Sequence, residues 1–187
     1  MPDTLPARPF RQMARNNRLA NLRLLTACSA LLPGEFEAER ISFFPSLKMT
    51  LNHILVVDLF YIDALEGGVL GYRAFDNEEP CQSVAELLME QQKLDERLLT
   101  LCNDLSAEKL AEHVRISRKT RLQIENKGDV LLHLFLHQTH HRGQVHAMLA
   151  GTSIKPPQLD EFIVHDDAPH RTAELTALGW TEADMNR

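Results

Sequence analysis

Between Ser46 and Glu66 the chain contains no glycine or proline, and apolar side chains cover almost the whole circumference of a helix. Leu47, Leu51, Leu55, Leu59 and Ile62 fall on one face at helical spacing. Met49, His53, Val57, Phe60 and Ala64 fall on the other. A helix with two apolar faces is buried from both sides, so other helices must flank it. Phe10 to Leu32 is leucine-rich and uninterrupted until Pro33-Gly34, which predicts a first helix. Glu35 to Pro45 reads as a connector. Ser83 to Asn103 predicts a third helix, opened by a Ser83-x-x-Glu86 capping box. Its stripe is Val84, Leu87, Leu88, Leu94, Leu98 and Leu101. Asp129 to Ala150, introduced by Lys127-Gly128-Asp129 and ended by Gly151, predicts the fourth. Gly71 to Pro80 reads as a loop between the second and third. The fold class expected is therefore all-α, a four-helix bundle. Two minor elements are added. Val114 and Ile116, then Leu122 and Ile124, alternate with polar residues, which predicts a short hairpin over 113–125 turning near Arg118 to Thr120. A short C-terminal helix is expected over Ala168 to Leu178.

At 187 residues the chain suits a single domain, 1–187, with room for a substantial core. A formal net charge of −6 gives no general attraction to nucleic acid. Arg115, Arg118, Lys119 and Arg121 form only a local patch, read as a solvated turn. Cys28, Cys81 and Cys102 are odd in number and widely spaced. That is neither a disulfide framework nor a Cys-x-x-Cys zinc pattern, and it suggests reduced thiols in a cytoplasmic protein. No apolar stretch reaches the ~20 residues needed to span a bilayer. Met1 to Phe10 has three prolines and no apolar block, unlike a signal peptide.

Histidine is the unusual residue. Nine occur, and five of them fall between His133 and His146, interleaved with leucines. His137 and His141 are four apart, which places them roughly 40° apart on one helix face and one turn apart in height. Val130, Leu134, Val145 and Met148 share that face, so the pair looks towards the core. Two buried imidazoles without partners are costly, and a shared metal ion resolves that cost. His53, in the doubly buried second helix, is the natural third ligand, because two facing helices can deliver ligands from both sides. His133 also shares the face and competes with His141 for the pairing. His140 lies about 60° off the line and suits a supporting donor. His146 points away, and His113, His165 and His170 lie at edges or in loops.

In these residues the chain resembles the DinB/YfiT-like superfamily. His133 to Gln144, with its His-x-x-x-His-Arg-Gly-Gln core, is similar to that family's fourth-helix motif. Leu51-Asn52-His53-Ile54-Leu55 is similar to its first-ligand segment. The likeness covers about 10–162, the DinB-like helical bundle, including Pro-Pro-Gln-Leu-Asp at 156–160, and leaves 163–187 as a C-terminal extension. It implies a divalent metal ion, nickel or zinc, held by His53, His137 and His141, and homodimers in many members. It also implies a small thiol and an electrophilic small molecule as partners, through relatives that are thiol-dependent S-transferases and isomerases. The motif does not account for the 113–125 hairpin.

Three protein ligands leave coordination positions open, which marks catalytic metal use. An ion there lowers the pKa of water or a thiol. The expected function is thus a metal-dependent enzyme of thiol S-transferase or hydrolase type. The competing classes are a non-catalytic metal-binding or stress-response interaction module and a plain helical dimer. No catalytic residue beyond the ligands is assigned. Asp58, about 140° round the helix from His53, reads as a buried hydrogen-bonding group or a partner for Arg142. Arg142 and Gln144 can orient ligands or substrate, and Arg142 can equally anchor a neighbouring helix or a dimer mate.

Overall fold

The computed structural model describes residues 6–185; residues 1–5 of the Met1–Phe10 segment lie outside them. Helix α1, Arg8–Cys28, stops short of Leu32. Past Cys28 the backbone tightens into turn bonds, Ala30 N–H to Ala27 and Leu31 N–H to Cys28 at 3.1 and 3.2 Å. The proline after Leu32 also disfavours helical backbone there. Helix α2, Leu47–Leu65, begins where Ser46 Oγ accepts the Met49 N–H at 3.1 Å. That cap satisfies one of the orphan donors of the first turn. Ser46→Ala is expected to cost about 1 kcal/mol and to lower Tm by about 2–4 °C, read by thermal unfolding.

The Gly71 to Pro80 segment is not simply a loop: Gly71–Asp76 form a 3-10 helix. Gly71 has φ of +53°, and a Cβ there would lie 2.6 Å from the Ser117 Cβ. Glycine alone permits both that backbone and that approach. Helix α3, Val84–Asn103, is capped by Ser83, whose Oγ accepts the Glu86 N–H at 3.2 Å. Glu86 reaches back to the Gln82 N–H, one residue before the cap, at 2.5 Å. A one-turn helix absent from the sequence reading, α4 (Ala107–Leu110), follows.

The expected hairpin is β1 (His113–Ser117) and β2 (Leu122–Asn126), antiparallel with His113 opposite Asn126 and Ser117 opposite Leu122. Val114 and Ile116 are buried, but Leu122 and Ile124 are exposed. Register explains this: Val114 and Ile116 face Glu125 and Gln123, so the β2 apolar residues fall on the outer face. Helix α5, Lys127–Leu149, starts at Asn126, whose Oδ1 accepts the Gly128 N–H at 2.9 Å. The expected C-terminal helix divides into a 3-10 segment, His165–Arg171, and α6, Thr172–Leu178. Pro169 lies inside the 3-10 part and has no N–H to continue an α-ladder. A further turn, α7 (Glu182–Met185), closes the described chain.

The fold is thus mostly helical with one small sheet. Helix α1 packs on α3 and α5, and α2 packs on α5 and α3. Their apolar faces form the main core, including Leu24, Leu51, Phe60, Leu98 and Leu134. The hairpin lies against α2 and the start of α5. Phe162, Leu175 and Met185 form a second cluster with Leu19 and Ala20 on the outer side of α1. Arg23 secures it through ion pairs to Glu174 and Glu161 at 2.7 and 2.8 Å. Among the described residues, no helix is long and apolar enough to cross a membrane.

Candidate metal centre

Helices α2 and α5 are in close contact, and that contact brings His53 to His137 and His141. One ring nitrogen from each of the three lies within 4.8 Å of the others. His53 Nε2 and His137 Nε2 are 3.0 Å apart. The rings of His137 and His141 are 4.4 Å apart between centroids, as the one-turn spacing requires, and that of His53 is 4.6 Å from His141. His141 is buried; His53 and His137 are half-buried. The Phe44 ring covers the group, 4.3 Å from the His53 ring and 5.6 Å from that of His141.

The protonation pattern suits ligation. His141 Nδ1 and Gln144 Oε1 are 2.8 Å apart. The amide oxygen can only accept, so Nδ1–H donates and Nε2 keeps its lone pair. Gln144 is itself held, its amide donating to His140 Nε2 at 3.2 Å. His140 therefore supports the site at one remove, through Gln144, and as an acceptor where a donor is expected from the sequence. Burial pushes the His137 pKa down to about 3, helped by the neighbouring imidazoles. Burial and His141 push that of His53 down to about 4, and burial lowers that of His141. All three are neutral near pH 7, the form that binds metal.

These residues fit a divalent ion. Two nitrogens at about 2.0–2.1 Å from a tetrahedral zinc are about 3.3 Å apart, close to the His53–His137 separation. His137 Nδ1 is buried and has no hydrogen-bond partner among the described residues, which leaves Nε2, facing His53, as the nitrogen turned to the group. Among the described residues the group contains three candidate ligands and no carboxylate or thiol.

His133, the alternative ligand, is not part of the group. It is exposed, its ring packs 5.2 Å from Tyr61, and it stands 6.5 Å from the His137 ring. The three cysteines are free and buried, and burial pushes the Cys28 and Cys102 thiols up to about 12. Such thiols are poor nucleophiles.

Asp58 and Arg142 belong to a different structure, a buried polar layer across all four long helices. Asp58 accepts from Gln91 Nε2 at 2.8 Å. Arg142 Nη1 donates to Asn17 Oδ1 and, at 3.0 Å, to Asn21 Oδ1. It anchors a neighbouring helix of the same chain, α1. Asn17 and Asn21 in turn donate to Asp95 Oδ1 at 3.0 and 2.9 Å, and Arg18 lies 3.6 Å from Asp95 Oδ2. Burial pushes Asp58 up to about 6. Burial and the nearby Asp58 push Asp95 up to about 7, while burial lowers Arg142 to about 10. Sequence reading missed most of this layer, and missed Phe44. The available signal was that Gln91 and Asp95 interrupt the inward row Leu87, Leu94, Leu98.

The DinB family model matches residues 1–174. Among solved structures, a DinB-like protein from Bacillus subtilis superposes with a TM-score of 0.54 at 13% identity, covering 76% of this chain and 90% of that one. At that identity the likeness concerns the fold. No curated protein matches the chain.

Proposed function

The chain belongs to the DinB family, and from that premise we propose that it is a metal-dependent enzyme whose centre is His53, His137 and His141 in a four-helix bundle of DinB type. The observation that carries this reading is the convergence of three neutral imidazoles from two helices with no fourth protein ligand in the group. A structural zinc site is closed by four protein ligands, whereas three leave room for a reactant. Nitrogen donors suit zinc or nickel. A divalent ion supplies Lewis acidity, which makes a thiol or water nucleophilic near neutral pH.

The protein's own groups prepare the site. Gln144 fixes the ring orientation and tautomer of His141, and His140 fixes Gln144. Phe44 covers the imidazole faces and limits water there. The reaction class that follows is transfer of a small thiol to an electrophilic small molecule, with hydrolysis of that electrophile as the related outcome.

Elemental analysis of the purified protein, with zinc and nickel titration of the chelated form, tests the metal. One equivalent per chain is expected. No uptake of either ion rejects the reading. A screen of small thiols against model electrophiles, with and without metal, tests the chemistry. Turnover that persists in the metal-free protein rejects the mechanism.

A further inference from the structure

His53 also lines a cavity of about 240 Å³, walled by Phe44, Met49, Val56 and Phe75. A larger groove of about 680 Å³ between α2 and α3 touches none of the three histidines. The smaller one adjoins the histidine group, because two residues belong to both. The His53 ring contributes Nε2 to the group and also lines the cavity. The Phe44 ring lies on both His53 and His141 and also lines it.

We infer that this cavity receives the thiol that reacts at the histidine centre, and that the part it holds is compact, apolar and not anionic. The inference rests on the metal-centre reading above and adds the substrate class. Size sets the first limit. An apolar cavity of about 150 Å³ accepts benzene, so this one holds roughly a substituted ring or a branched alkyl group. The walls set the second, since two phenyl rings, a thioether and a valine offer dispersion and few hydrogen bonds. Charge sets the third. Glu78 and Glu79 stand at the cavity. Lys48 Nζ lies 3.5 Å from Glu79 and offsets part of its charge, while Glu78 forms no ion pair among the described residues. A carboxylate entering here meets net negative charge and loses its hydration without a donor to replace it.

Cobalt(II) loaded into the full chain reports on the cavity, because thiolate binding to cobalt gives a charge-transfer band. The probes are benzenethiol and 4-mercaptobenzoate. Benzenethiol is expected to bind at least ~10-fold more tightly, a difference of about 1.4 kcal/mol. Met49→Trp fills the cavity from a half-buried position. It is expected to weaken benzenethiol by ~10-fold or more while cobalt content stays at one per chain. Glu78→Lys, an exposed change, is expected to tighten 4-mercaptobenzoate several-fold more than benzenethiol, because it adds positive charge where the extra carboxylate would lie. Wild-type benzenethiol affinity in Met49→Trp overturns the inference, and so does equal affinity for the two thiols in the wild-type protein. In those cases cobalt is still bound and the metal centre stands. Absence of cobalt uptake is a different failure: it removes the centre, and the cavity's role with it.

Discussion

Arg142→Ala is expected to destabilise the protein by about 3–5 kcal/mol, because it strips one cation from a buried, charge-balanced layer and leaves carboxylates behind. Arg142 and Arg18 stand with Asp58 and Asp95 among asparagine and glutamine side chains, all of them buried. Arg142 also ties α5 to α1 through Asn17 and Asn21. The loss should depend on pH. Asp58 and Asp95 have pKa values in the fold of about 6 and about 7, above the ordinary value of 3.8. A carboxyl raised in this way keeps its proton in the fold after the unfolded chain has released it. Its contribution is therefore fully present below about pH 4 and fades as pH rises through about 6 and 7. Without Arg142, which favours the ionised forms, both pKa values rise further and the loss extends to higher pH and deepens. Urea unfolding of wild type and variant at pH 5 and pH 8 reads this directly. The gap between them should be wider at pH 8. A variant within about 1 kcal/mol of wild type at both pH values would show that the layer is not a unit.

The long helices were legible because their signals are local and repeated. The α2 segment has two apolar faces, no breaker and Ser46 at its start, and it forms as Leu47–Leu65. The His137/His141 pair was legible for the same reason, since one helix fixes both. His53 required a tertiary step, the burial of α2, and the two helices do bring it to the pair. What the sequence concealed depends on contacts between distant segments. Phe44 sits in a connector with no periodicity, and only the packed chain places its ring on His53. The face of β2 depends on register, and a one-residue difference decides whether Ile124 points in or out. Asp58 and Arg142 were legible as possible partners, but the rest of the buried polar layer was hidden because Asn17, Asn21 and Asp95, taken singly, have the composition of a helix's solvent face. Only their mutual contacts make burial tolerable.

His137→Ala is expected to abolish stoichiometric metal binding, with Gln144→Ala as the graded comparison. His137 meets the other helix directly: its Nε2 faces His53 at 3.0 Å, while its Nδ1 is enclosed without a partner among the described residues. Alanine there leaves two nitrogens on separate helices, too few to hold an ion against water. Gln144→Ala keeps all three nitrogens but frees the His141 ring, and loss of such an orienting partner costs about 10–100-fold in metal affinity. His137→Ala should exceed that range. Stability separates this outcome from misfolding. An ion that binds only the folded chain stabilises it by about 4 kcal/mol at 1,000 times its Kd. The metal-dependent rise in Tm should therefore be large in wild type, reduced in Gln144→Ala and absent in His137→Ala. The metal-free Tm of His137→Ala should stay near that of the wild-type protein or rise, because a half-buried imidazole whose Nδ1 has no partner among the described residues has been removed. If His137→Ala keeps both its metal and its metal-dependent Tm, the three histidines are a packed cluster and not a ligand set.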